Sequence, residues 1–274
     1  MSNQILVLGS TGKTGKRVAE RLQNLKFNIR LGSRNGEPSF DWDKPNNWQQ
    51  VLSGIENVYI TFQPDLAVPK AIEKIKFFTK IAKESGVKKL VLLSGRGEKE
   101  AQACEQLVIH SRLDWTIVRA SWFMQNFSEN FLLDSIISNE LILPTIKFLE
   151  PFVDADDIAD VVVAALTSDK HSQKTYELTG PELMSFEQAT LAIAQVSNRK
   201  ITYTEISMEE YVAALKSYQL PDDFIWLLRY LFTEVLDGRN ESLTNDIENI
   251  LGRKPTSFSD YITKTEKTGV WKLQ

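Results

Sequence analysis

The sequence predicts an α/β protein, a doubly wound parallel sheet followed by a smaller, mainly helical C-terminal region. Three observations predict it. An apolar run, Ile5 to Leu8, passes straight into a glycine-rich turn, Gly9-Ser10-Thr11-Gly12-Lys13-Thr14-Gly15, and then into apolar residues at helical spacing. Strand-like apolar runs alternate with helical stretches as far as residue 120. After Arg119 that rhythm stops, and an aromatic segment and several helical patterns take over. The expected division is 1–124 for the sheet domain and 125–274 for the smaller region covering its ligand edge, the two interleaving.

The first strand, turn and helix form an anion site in outline. Gly9 lets the chain leave the strand sharply, Gly12 lets a pyrophosphate approach the backbone, and Gly15 lets the helix pack close. Amides at the helix N-terminus then face the anion, helped by the helix dipole. The spacing is G-x-x-G-x-x-G rather than G-x-G-x-x-G. Gly12-Lys13-Thr14 imitates an NTPase phosphate loop, but the first glycine of that loop would fall on Val7, inside the strand.

Phe27 to Arg34 reads as the second strand. Dinucleotide sites often place an acid after this strand to hold the ribose 2′-hydroxyl; here stand Ser33, Arg34 and Asn35. A guanidinium and a hydroxyl suit a 2′-phosphate, so NADP(H) is expected ahead of NAD(H). Ser39 to Trp42 reads as a short third strand ending near the adenine, with Asp41 as a partner for it, and Pro45 opens a short helix. Asn57 to Phe62 is a fourth strand, whose carboxyl end would place Phe62, Gln63 and Pro64 beside the cofactor.

Val68 to Ser85 is helical, with Ile72, Ile75, Phe78, Ile81 and Ala82 on one face, and Gly86 stops it. Lys89 to Ser94, turning at Gly95, is apolar enough for a strand buried on both faces. A helix over 98–111 and a strand over 114–119 come next. The segment Ser121-Trp122-Phe123-Met124-Gln125-Asn126-Phe127 caps the core, walls a substrate pocket, or does both. Phe152 to Ile158 leads into an amphipathic helix with acids at its positive end, and Thr175 to Thr179 is a strand. Capping boxes begin at Ser185 and Ser207, with an alternating strand over 200–206 between them. Phe224 to Phe232 is apolar nearly all round, as in a buried helix, a pocket cap or a subunit contact.

Composition narrows the function. The 274 residues suit one large domain or two intimate ones. A net charge of −4 offers no surplus for a nucleic-acid partner. Cys104 is the only cysteine and there are two histidines, which leaves no intramolecular disulfide and little for a metal. No apolar run reaches membrane-spanning length, so no membrane role is expected and a cytoplasmic protein is. His110 reads as a helix-end residue, Cys104 as buried and inert, Tyr59 and Tyr176 as packing residues, and Asp154, Asp156, Asp157 and Asp160 as a capping cluster rather than a metal site.

With these residues in view, the chain resembles the NmrA-like, atypical branch of the short-chain dehydrogenase/reductase superfamily over nearly its whole length. The carriers are Gly9 to Gly15, Arg34, Leu92-Leu93-Ser94, Val118 to Phe127 and Tyr176 to Gly180. Phe40-Asp41-Trp42 and the segment Trp122 to Phe127 look most like the festuclavine-dehydrogenase-like proteins of ergot alkaloid pathways, and the C-terminal half resembles NADPH quinone reductases of the branch. The resemblance implies an NADP(H)-binding Rossmann domain. It carries pyrophosphate binding onto Ser10, Thr11, Gly12, Lys13 and Thr14, the 2′-phosphate onto Arg34, and adenine contacts onto Asp41 and Trp42. Ser94, Gly95 and Ser121 would lie near the nicotinamide half.

One departure matters. Typical members use a Tyr-x-x-x-Lys pair as proton donor. No tyrosine here has a lysine four positions on, and Gln102 and Gln106 stand where the pair would lie. No catalytic side chain is therefore assigned. The reading is an NADPH-dependent reductase of a small electrophilic acceptor such as a quinone, imine or carbonyl. Trp122, Phe123, Met124 and Asn126 would form its pocket, in a monomer or homodimer. The alternative is a catalytically silent NADP(H) sensor that binds a regulatory protein partner.

Overall fold

The computed structural model describes residues 4–129 and 132–272. The chain forms two compact units. The first runs to residue 120 and takes in 155–178 and 246–252; the second holds 121–154, 179–245 and the residues from 253 on.

The first unit begins β1 (Gln4–Leu8), α1 (Lys13–Asn24), β2 (Asn28–Gly32), α2 (Trp48–Leu52), β3 (Ile55–Ile60) and α3 (Ala71–Glu84). It continues with β4 (Lys89–Gly95), α4 (Lys99–Ile109) and β5 (Asp114–Ala120). In the second unit come α5 (Leu133–Ile137) and β6 (Glu140–Pro144). The first unit resumes with α6 (Ala155–Thr167) and β7 (Lys174–Leu178). The second adds α7 (Phe186–Val196), β8 (Thr202–Ile206), α8 (Met208–Ser217) and α9 (Asp222–Tyr230). Last come α10 (Asp246–Leu251) in the first unit and α11 (Phe258–Glu266) in the second.

The sheet of the first unit is parallel throughout, in the order β2-β1-β3-β4-β5-β7. The winding reverses between β1 and β3, which opens a crevice at their carboxyl ends. Leu6, Leu8, Val58, Ile60, Val91 and Leu92 are wholly buried, as expected of strands covered on both faces. α1 presents Arg17 and Arg21 to the acidic start of α6, where Arg21 bonds both Asp156 and Asp160. Those two acids of the proposed capping cluster are thus held by guanidinium groups.

Three details differ from the sequence reading. Residues 39–42 form no strand. Pro38 removes a donor just before them, and side chains take up their backbone oxygens: Trp48 Nε1 donates to Asp41 O and Asn47 Nδ2 to Ser39 O. The helix α3 starts at Ala71, and Ile72 is exposed while Thr79 is buried on the core face. α9 is one-sided: Ile225, Leu227 and Leu228 are buried, whereas Trp226 is exposed and stacks on Tyr230.

The second unit folds around Phe127, Phe152, Phe186, Phe258, Tyr261 and Trp271. β6 and β8 pair in parallel, Glu140 opposite Thr202 through Pro144 opposite Ile206. Both capping boxes form, Ser185 with Gln188 and Ser207 with Glu210, so α7 and α8 start where their sequences say. Among the described residues no helix is long and apolar enough to cross a membrane.

Candidate functional site

The glycine turn is built for close backbone approach. Gly9 has φ +62°, and a Cβ there would lie 2.7 Å from Thr61 Cγ2. A Cβ at Gly15 would lie 2.1 Å from Gly9 O, so α1 can sit on the turn only without it. Gly12, by contrast, is exposed and would meet just Gly9 O, at 3.3 Å. Gly12 is also the N-cap of α1, which has no side-chain cap and no acid in its first turn. The N-terminal amides and the positive end of the dipole are thus left for an anion. Thr11 is exposed, Lys13 half-buried, and Ser10 and Thr14 are buried. Tyr59 is not mere packing: its hydroxyl donates to Thr14 Oγ1 at 2.9 Å, tying β3 to the turn. Burial pushes the Tyr59 phenol far above its ordinary range, so it stays protonated.

At the end of β2, Ser33 is half-buried and its carbonyl accepts from Gly36 N and Phe40 N, curling the chain so that Arg34 stands exposed. Asp41 and Trp42 are half-buried. The Asp41 carboxylate accepts from Asp43 N at 3.0 Å and lies 4.0 Å from Lys44 Nζ, so it is engaged in its own turn. The Trp42 ring is locked among Phe40, Trp48, Phe62 and Phe78, with Phe62 at 4.8 Å. Phe62 is buried, whereas Gln63 and Pro64 are exposed beyond the end of β3.

The carboxyl ends of β4, β5 and β7 are joined by a network of charges. Ser94 Oγ donates to Glu105 Oε1 at 2.7 Å, and Arg119 donates to both Glu105 oxygens, its Nη2 reaching Oε2 at 2.7 Å. Arg119 Nη1 then meets Glu177 Oε1 at 3.2 Å, and Arg96 Nε meets Glu177 Oε2 at 3.0 Å. The bonds to Glu105 raise the Arg119 pKa above its ordinary value. Burial alone would push Glu177 up, but Arg96 and Arg119 together hold it below the usual carboxylate range. Because its proton points at Glu105, Ser94 offers lone pairs to a ligand.

Sequence reasoning missed Glu105. It looked to Gln102 and Gln106, yet Gln106 is exposed and Gln102 half-buried. Glu105 is wholly buried, on one helix face with Ala101, Cys104 and Val108. An acid at an apolar helical spacing was the available signal.

In the second unit, Ser121 is buried and its hydroxyl has no hydrogen-bond partner among the described residues. Trp122 is half-buried, 5.2 Å from Phe186 and 5.4 Å from Phe232. Phe123 pairs with Val153 in an isolated bridge and keeps partial exposure, as does Asn126. Met124 is fully buried in the core of this unit. Gln125 Nε2 donates to the buried Asp154 Oδ1 at 2.7 Å.

Cys104 and the two histidines are engaged by their own surroundings. Burial, with Asp65 and Glu105 nearby, pushes the Cys104 thiol up to about 12, which leaves it un-ionised. His110 Nδ1 donates to Gln106 O, and His171 Nδ1 meets Tyr176 Oη at 2.9 Å. A surface groove of about 300 Å³ lined by Pro45, Phe77, Ile81 and Glu84 involves the C-terminal half of α3, not the carboxyl edge of the sheet.

A family model described as NAD(P)H-binding matches residues 9–169. Agroclavine dehydrogenase of Claviceps fusiformis is 29% identical, over 98% of this chain and 99% of its own. Festuclavine synthase II of Penicillium roqueforti is 30% identical, over 97% of this chain and 99% of its own. Among solved structures, the NADPH-dependent quinone oxidoreductase of Escherichia coli complexed with NADPH superposes with a TM-score of 0.79. That match covers 95% of this chain and 99% of the other at 20% identity, a likeness of fold.

Proposed function

The chain belongs to the NAD(P)H-binding family of oxidoreductases, and from that premise we propose that it reduces a small electrophilic acceptor (a quinone, imine or carbonyl) with NADPH. The observation that carries the reading is the uncapped start of α1 above the open face of Gly12. It fits a pyrophosphate and has no other evident use. Ser10, Thr11, Gly12, Lys13 and Thr14 hold that group around the open face of Gly12. Arg34, exposed and cationic, with Ser33 beside it, takes a 2′-phosphate and so favours NADPH over NADH.

Trp42, Phe62, Gln63 and Pro64 border the adenine and the crevice, and Asp41 contributes through its turn. Ser94, whose proton is given to Glu105, would offer its lone pairs to the nicotinamide half of the cofactor, beside Gly95. In the second unit Ser121 supplies a free hydroxyl, Trp122, Phe123 and Asn126 offer aromatic and amide contacts to an acceptor, and Met124 supports them from the core. The bound cofactor supplies hydride; the protein binds, orients and excludes water.

The test is titration of the purified protein with NADPH and NADH, then turnover with quinones and cyclic imines. Tight NADPH binding with oxidation is the expected result. Tight binding without oxidation on any acceptor would favour a nucleotide sensor, and no binding would refute the cofactor site.

A further inference from the structure

We propose that Asp65 and Glu98 are the proton-donating pair of this reductase, taking the part that the missing tyrosine and lysine play in typical relatives. The proposal rests on the reductase reading. Both acids stand at the carboxyl edge of the sheet, Asp65 in the loop after β3 and Glu98 in the turn between β4 and α4. In an open parallel sheet that edge is the ligand crevice.

Their carboxyl groups are near enough to act on one another, Asp65 raising the pKa of Glu98. Two like charges this close disfavour each other, so the pair retains a proton. Glu98 is 6% exposed, and its Oε2 has no hydrogen-bond partner among the described residues. The carboxyl group lies flat on Gly95, where a Cβ would come within 2.0 Å of Oε1 and 2.4 Å of Oε2. Gly95 is therefore the seat of this acid. Asp65 is half-buried and accepts from Ala67 N at 2.8 Å, which fixes its orientation.

The surroundings favour retention of the proton. Burial is the main cause holding both acids above their ordinary range. Asp65, Glu100 and Glu105, all acidic, add to that effect at Glu98. Cys104, the neighbouring thiol, is pushed up to about 12 and is too weak an acid to compete.

Reduction of a carbonyl or quinone breaks the C4–H bond of the dihydronicotinamide, and its electron pair forms the new bond to the acceptor. Negative charge is left on an acceptor oxygen. The proton that Glu98 holds moves to Asp65, the more exposed member, and from it to that oxygen, where an O–H bond forms. Both carboxyl groups are then ionised, and a proton from water restores the pair. An iminium acceptor is neutralised by hydride alone and needs no proton from the protein.

The experiment uses Asp65→Asn and Glu98→Gln, near-isosteric changes that keep polar groups at both positions. First, infrared difference spectra across a pH jump are recorded on the ligand-free protein. A protonated-carboxyl band near neutral pH is expected in the parent and lost in Glu98→Gln. Second, turnover with a quinone and with a preformed iminium is compared. The quinone-to-iminium rate ratio should fall by roughly 10²-fold or more in either variant, with a changed solvent isotope effect on the quinone alone. Absence of the band, or an unchanged ratio in variants that still bind NADPH, overturns the proposal. A parent protein that fails to oxidise NADPH with every acceptor overturns the reductase reading and the pair's role with it. A competent parent with indifferent variants overturns the pair's role alone.

Discussion

Replacing Glu105 tests whether the charge network at the carboxyl edge organises the sheet. The wholly buried carboxylate accepts from Ser94 Oγ, Arg119 Nε and Arg119 Nη2, at 2.7, 2.9 and 2.7 Å. Glu105→Ala leaves the Arg119 guanidinium, with a side chain only 22% exposed, leaning on Glu177 alone. Breaking a buried ion pair from one side costs about 3–5 kcal/mol. The surviving Glu177 contact places this variant at the lower end, about 3 kcal/mol. Glu105→Gln keeps an acceptor for Ser94 but loses the charge, and should cost about 1.5–3 kcal/mol, no more than the alanine variant. Urea unfolding monitored by circular dichroism reads the difference as a shift in midpoint at unchanged slope. Arg119→Met should be markedly less harmful in the Glu105→Ala background than alone, a coupling that a double-mutant cycle measures. A loss below about 1 kcal/mol for Glu105→Ala, or strict additivity with Arg119→Met, would refute the reasoning.

Three further outcomes are expected. Arg34→Ala should weaken NADPH by about 10- to 100-fold, the worth of a charge-assisted bond, and leave NADH unchanged; equal effects in paired titrations would remove the 2′-phosphate assignment. Gly15→Ala places a Cβ 2.1 Å from Gly9 O, so α1 must move off the turn. Thermal unfolding should show a loss of about 1–3 kcal/mol, and calorimetry a loss of nucleotide affinity; a variant as stable and as tight as the parent would contradict that packing. Glu177 has a folded pKa below its ordinary 4.5, so its contribution is present above that value and is lost as pH falls through the folded one. Glu177→Gln should flatten the fall in stability over that acidic window, and an unchanged acid-unfolding profile would count against its pairing with Arg96 and Arg119.

The parts of the fold that sequence revealed are those whose cause is local. Gly9, Gly12 and Gly15 are spaced by the geometry of one turn and one helix start, and Ser185 and Ser207 cap their own helices three residues on. Each signal lies within a few residues of its effect. The third strand failed for the converse reason. Phe40 and Trp42 have strand-like composition, but their conformation is fixed by contacts with Trp48, Phe62 and Phe78, from three other segments. The Phe224–Phe232 run misled similarly. Stacking on Tyr230 accounts for the exposed Trp226, and a one-turn π segment over Leu231–Val235 changes the facing of the residues beyond it.

The same distinction explains why the glycine turn could be marked in advance and the acids could not. A tight turn into a helix start is made of backbone, and backbone geometry is written in glycine positions. A charge network is made of side chains that meet only when strands align: Ser94 lies opposite Arg119 in the β4–β5 register, and Arg119 opposite Glu177 in β5–β7. That register puts one serine, one arginine and one glutamate in a row across three strands, and α4 supplies Glu105 to them. Each of these residues alone reads as an ordinary strand or helix position. Their joint burial is what gives them a common electrostatic state, so a change at any one should be felt at the others. Substitutions at Glu105, Arg119 and Glu177 are therefore expected to be strongly non-additive, whereas Arg34, exposed on its own turn, should act alone.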